Sequence, residues 1–209
     1  EISRFYETEF SNVGRSVHTL AVKATNKFEE TRDIVKSYIN AKHREEIIFT
    51  KGATEAINLV ANTYGEKFIN HGDEILITEL EHHSNYVPWH YLRNKKGAII
   101  KFASVDENGE IDIDEFKKQI SDKTKIIAFT HISNVTGTIM PVKKIIDLAK
   151  SKNIPVLIDG TQGAPHSTLD VQDLGCDFYA ISCHKMYGPN GLGILYAKKK
   201  WVDELPPYQ

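Results

Sequence analysis

The feature that most limits what this chain can fold into is a regular alternation of two kinds of segment, running from about residue 17 to residue 200. One kind is short, β-branched and almost wholly apolar: 46–50 (EIIFT), 74–78 (EILIT), 98–102 (AIIKF), 125–130 (KIIAFT) and 154–159 (IPVLID). The runs at 177–182 (DFYAIS) and 192–197 (LGILYA) join them. Segments this uniformly apolar predict strands buried on both faces, the habit of parallel sheets. The other kind carries helical spacing. Ala21, Ala24, Phe28, Val35 and Tyr38 fall in steps of three, four or seven. So do Ala56, Leu59, Val60, Tyr64 and Phe68, and then Val142, Ile145, Ile146 and Ala149 behind Pro141 at a first helical position. Asp112 to Glu115 opens a further helix with acids in its first turn. Strands alternating with helices predict an α/β protein: a mostly parallel, doubly wound sheet flanked by helices. Ligands of such sheets sit at the carboxyl ends of the strands.

Composition removes several function classes. Lys and Arg number 26 against 28 Asp and Glu, a net charge of -2, so no excess positive charge draws the chain to nucleic acid or to an anionic membrane. No apolar run approaches the ~18–20 residues of a membrane helix. The two cysteines, Cys176 and Cys183, cannot form a disulfide framework and suit a reducing compartment. A cytoplasmic location is the expectation. With 209 residues the chain has room for one large domain or two small ones.

The strand ends carry the chemistry. After 46–50 comes Lys51-Gly52-Ala53-Thr54-Glu55, a glycine turn leading into a helix, where free backbone N–H groups and a hydroxyl form an anion site or a plain cap. After 74–78 comes Glu81-His82-His83-Ser84-Asn85. Its imidazoles suit stacking or proton transfer better than metal binding, because adjacent side chains diverge and no acid or cysteine stands at ligand spacing. Strand 125–130 leads to Asn134, a donor and acceptor in one side chain. Strand 154–159 ends on Asp159, a carboxylate in an expensive place that calls for a cation or strong donors, followed by Gly160, Gln162 and Gly163. Strand 177–182 ends on Ser182-Cys183-His184-Lys185, where a lysine held off the solvent becomes a nucleophile toward carbonyls.

One ligand accounts for the whole set. A phosphate suits the helix start at 52–55, a heteroaromatic ring suits His82, a protonated pyridine nitrogen suits Asp159, and an aldehyde suits Lys185. Pyridoxal phosphate has all these groups. The glycines at 188–193 do not form G-x-G-x-x-G and precede a strand, so a nicotinamide site is not expected.

The motifs KGATEAIN (51–58), EHHSN (81–85), HISNVTGT (131–138), DGTQ (159–162) and SCHKMYGP (182–189) resemble, in order and spacing, the class V aminotransferase family. Within that family they are most similar to the SUF-type (group II) cysteine desulfurases, and the likeness extends to the early stretch 14–20. The resemblance implies the large domain of the fold type I pyridoxal-phosphate enzymes. It implies that Lys185 holds the cofactor as a Schiff base and that His82 stacks on the ring and relays protons. Asp159 pairs with the ring nitrogen, and Gln162 donates to the phenolic oxygen. Thr54, Ser182 and His184, with the backbone of Ala53, hold the phosphate, and Asn134 faces the substrate carboxylate. No metal is implied. The implied reaction takes sulfur from L-cysteine, gives alanine and an enzyme persulfide, and supplies iron–sulfur cluster assembly through an acceptor protein, in a homodimer.

In that family the persulfide cysteine and the arginine that clamps the substrate lie with a smaller C-terminal domain. Residues 1–209 are therefore expected to be the cofactor-binding large domain, clipped at both ends and inactive alone, with Cys176 and Cys183 structural. Selenocysteine lyase, a kynureninase-like hydrolase and a non-catalytic, partner-binding fragment are the competing expectations. The 82–89 run (HHSNYVPW) favours the desulfurases.

Overall fold

The computed structural model describes residues 1–14 and 17–208; Arg15 and Ser16, within the 14–20 stretch, and Gln209 lie outside the described residues. In chain order the elements are α1 (Ile2–Thr8), α2 (Thr19–Tyr38), β1 (Ile47–Thr50), α3 (Ala53–Phe68), β2 (Glu74–Thr78), α4 (Val87–Lys96), β3 (Ile99–Ala103) and α5 (Ile113–Gln119). There follow β4 (Thr124–Thr130), α6 (Val142–Ser151), β5 (Val156–Asp159), α7 (Gly163–His166), α8 (Val171–Leu174), β6 (Phe178–Ser182), β7 (Gly193–Ala197) and α9 (Lys199–Glu204). The strands form one seven-stranded sheet in the order β1-β7-β6-β5-β4-β2-β3. All pairings are parallel except those of β7, which runs antiparallel to both β1 and β6.

Period-2 geometry explains the uniformly apolar runs. In β4, Ile126 and Ala128 enter one core layer while Ile127 and Phe129 enter the other. In β6, Phe178 and Ala180 face the first layer, and Tyr179 and Ile181 the second. The first layer packs under α3, α4 and α9 through Ile57, Val60, Tyr64, Trp89 and Trp201. The second packs under α5, α6 and α8 through Phe116, Ile145, Ile146 and Val171. The result is a sheet between two helical layers.

Three readings need correction. Strand β3 is not buried on both faces: it is an edge strand, and Ile99 and Phe102 are exposed where no further strand lies beyond it. On α2 only Ala21 and Ala24 of the apolar stripe are buried, and Tyr38 is exposed. Pro141 caps α6 rather than beginning it. Asp112 does cap α5, accepting from the amides of Asp114 and Glu115.

The fold matters for function through one edge. Strands β1, β2, β4, β5 and β6 are parallel, so Thr50, Thr78, Thr130, Asp159 and Ser182 all end on the same side, and all are buried. Between β2 and β4 the strand order reverses direction, which opens a crevice at that edge.

Candidate active site

A cleft of about 630 Å³ occupies this edge. Every residue expected to meet a ligand lines it: Ala53, Thr54, His82, Asn134, Asp159, Gln162, Ser182, His184 and Lys185. They come from five separate stretches of chain, brought together by the parallel register rather than by sequence proximity.

One end of the cleft is built by the start of α3. Gly52 occupies the cap position and gives no side-chain cap, so the first amides of α3 have neither a carbonyl four residues back nor a capping oxygen. Their N–H groups and the helix dipole favour an anion. Gly52 lies against Ser182, whose Oγ would sit 3.7 Å from a Cβ at position 52. Ser182 Oγ is 3.0 Å from His184 Nδ1, and Thr54 Oγ1 is 2.7 Å from Ser84 Oγ. Close approach is what makes this end possible. A Cβ at Gly193 would come within 2.5 Å of the Gly52 backbone.

The centre is set by Asp159 and His82. Asp159 is 4% exposed, and among the described residues its carboxylate has one hydrogen-bond donor, the Thr161 amide at 3.0 Å to Oδ1. Oδ2 is left to the cleft, without a cation. A buried acid half-satisfied in this way suits a protonated ring nitrogen. His82 begins a short turn over 83–85, and its Nδ1 accepts from the Ser84 amide at 3.1 Å. An amide can only donate, so the neutral ring carries its hydrogen on Nε2. Lys185, half-buried, lies in the turn that follows β6 and lines the same cleft.

The cleft also has walls that the strand-end motifs did not single out as ligands: Ser84, Thr130, Ile132, Thr161 and Tyr208. Ser84 and Thr161 stand two residues beyond His82 and Asp159, a spacing that a turn search would have found. Cys176 is fully buried, which pushes its thiol up to about 12, and burial raises Cys183 as well. A thiol so held is a poor nucleophile. Among the described residues no cluster of His, Cys, Asp and Glu could hold a metal ion, and no helix is long and apolar enough to cross a membrane.

Fold and cleft define an α/β protein with a polar cleft at the switch point of its sheet. The class-V aminotransferase profile matches residues 1–209, and the chain belongs to that family. A probable cysteine desulfurase of Halalkalibacterium halodurans is 48% identical over 205 residues, 98% of this chain and 50% of that protein. The apo cysteine desulfurase of Thermococcus onnurineus superposes with a TM-score of 0.92 at 38% identity, over 99% of this chain and 51% of that one. The structure of SspA in complex with cysteine gives a TM-score of 0.92 at 27% identity, over 100% of this chain and 59% of that one. The chain thus spans about half the length, or less, of the curated relatives it matches. The expected fold is the fold observed.

Proposed function

We propose that the cleft binds pyridoxal phosphate and that the intact protein is a cysteine desulfurase, converting L-cysteine to L-alanine and keeping the sulfur as a persulfide on one of its own cysteines. The observation that carries this reading is the meeting, in one cleft, of an uncapped helix start, an imidazole of fixed tautomer, a half-satisfied buried acid and a half-buried amine. These suit the phosphate, the ring face, the ring nitrogen and the aldehyde of that cofactor, and the relatives bear the matching name. Residues 1–209 are then the large cofactor-binding domain, with the persulfide cysteine in a smaller one. The raised thiols of Cys176 and Cys183 support that division.

Bound there, the cofactor supplies an aldehyde that condenses with amines and a ring that accepts electrons. The chain does the rest. The Ala53 amide, Thr54, Ser182 and His184 hold the phosphate. Asp159 keeps the ring nitrogen protonated by favouring its cation, and Gln162 donates to the phenolic oxygen. Asn134 meets the substrate carboxylate. His82 would meet the ring with a hydrogen to give from Nε2, and the Lys185 amine would move the proton at the substrate Cα. Exposed Val135, Ile139 and Tyr187, within five residues of Asn134 or Lys185, support a homodimer paired near the cleft. The free thiols suit the cytoplasm, where an acceptor protein would take the sulfur into iron–sulfur cluster assembly.

The intact protein should show a visible absorbance band after incubation with pyridoxal phosphate, and Lys185→Ala should abolish it. A variant with an unchanged spectrum would refute the assignment.

A further inference from the structure

Directly before His82 stands Glu81, a half-buried residue whose carboxyl group is enclosed by donors from three parts of the fold. Oε1 accepts from Thr78 Oγ1 at 2.5 Å, at the end of β2, and from the Thr130 amide at 3.0 Å, at the end of β4. Oε2 accepts from Asn85 Nδ2 at 2.5 Å, in the turn that His82 begins. Asn85 is fully buried, and its own Oδ1 accepts from Trp89 Nε1 at 3.1 Å, which fixes which end of the amide faces Glu81. The Asn85 amide in turn donates to the His82 carbonyl at 2.8 Å. Thr130 is the register partner of Asp159, and the amide of His131 donates to the Asp159 carbonyl at 2.9 Å. One carboxyl group therefore joins the turn that carries His82 to the strand beside Asp159.

We infer that Glu81 is a positioning residue, setting the separation between His82 and Asp159 and so the width of the slot that receives the cofactor ring. The inference rests on the proposed cofactor reading. Its physical basis is the crevice between β2 and β4: His82 and Asp159 lie on opposite sides of it, and in a carboxyl group a single short side chain spans the gap. Of its partners the Thr130 amide and Asn85 Nδ2 can only donate, while the Thr78 hydroxyl can also accept the proton of a neutral carboxyl group, whose O–H oxygen still accepts as an amide nitrogen cannot. A glutamine at 81 keeps the length but turns one acceptor into a donor, which then confronts either the Thr130 amide or Asn85 Nδ2. Converting Asn85 to aspartate at the same time restores the match, because one aspartate oxygen accepts from the new amide and the other from Trp89 Nε1.

The test uses the intact protein and compares Glu81→Gln with the double variant Glu81→Gln, Asn85→Asp. In Glu81→Gln, exchange of the Thr130 amide in the cofactor-free protein should quicken about tenfold. With cofactor, its absorbance band should shift and kcat for L-cysteine should fall roughly 10- to 100-fold, more than KM changes. The double variant should recover most of each loss. Overturning results are a Glu81→Gln protein with unchanged Thr130 exchange, or one with faster exchange but unaltered band and kcat, which would make the carboxyl a structural tie only. Failure of the double variant to recover would also overturn it. Wild-type protein that takes up no pyridoxal phosphate would sink the functional reading and this inference together.

Discussion

At the scale of single residues, the cleft works by placing polar groups where burial makes them costly. Glu81 shows the cost directly. Burial, opposed by its three donors and reinforced by the nearby negative charge of Asp159, pushes its carboxyl up to about 8. The native state then holds a proton that the unfolded chain releases near 4.5. Between those values the native state binds more protons, so stability falls as pH rises from about 5 to 8 and levels off above. In Glu81→Gln that contribution disappears, and its deficit against wild type should narrow as pH rises across the window. Melting temperatures of both proteins at pH 5 to 9 decide it; parallel curves would mean that Glu81 titrates as an ordinary carboxylate. The role of Glu81 was not legible in the sequence. Next to a double histidine it looked like part of a polar motif, and only the positions of Thr78 and Thr130 make it a bridge.

At the scale of elements, the start of α3 matters more than its length. Helix spacing announced the helix, and the glycine before it announced the turn. What spacing could not announce is that Gly193, at the start of β7, presses on Gly52. That contact exists because β7 pairs with both β1 and β6, opposite Thr50 on one side and Ser182 on the other. Gly193→Ala places a methyl within 2.5 Å of the Gly52 backbone, so the turn must shift and carry the α3 amides with it. Affinity for pyridoxal phosphate, measured by fluorescence titration of the intact protein, should weaken about 10-fold or more, because displacements of this size disrupt aligned donors. Unchanged affinity would show that the turn absorbs the methyl without moving the helix. The edge strand β3 teaches a related lesson. Its apolar run matched those of the central strands, since a window of sequence does not reveal which strand lacks a neighbour.

For the whole molecule, the two apolar layers hold the strands in register and so hold the cleft together. Phe129, next to last in β4, is fully buried on the strand that lies between β2 and β5. Phe129→Ala should cost about 3–5 kcal/mol, the usual price of removing a core aromatic ring. Chemical denaturation of the intact protein measures it, and a loss below about 1 kcal/mol would mean that the layer collapses around the gap. The sequence by itself determined the layer pattern, the parallel majority of the sheet, and which polar groups stand at the strand ends. These follow from local physics: side-chain period, turn residues, and polar groups at the ends of apolar runs. Only the tertiary structure decided the antiparallel place of β7, the exposure of β3 and the stripe of α2, the tautomer of His82, and the carboxyl bridge at Glu81. Each of these depends on contacts between residues far apart in the chain, and such contacts exist only once the strand order has been chosen.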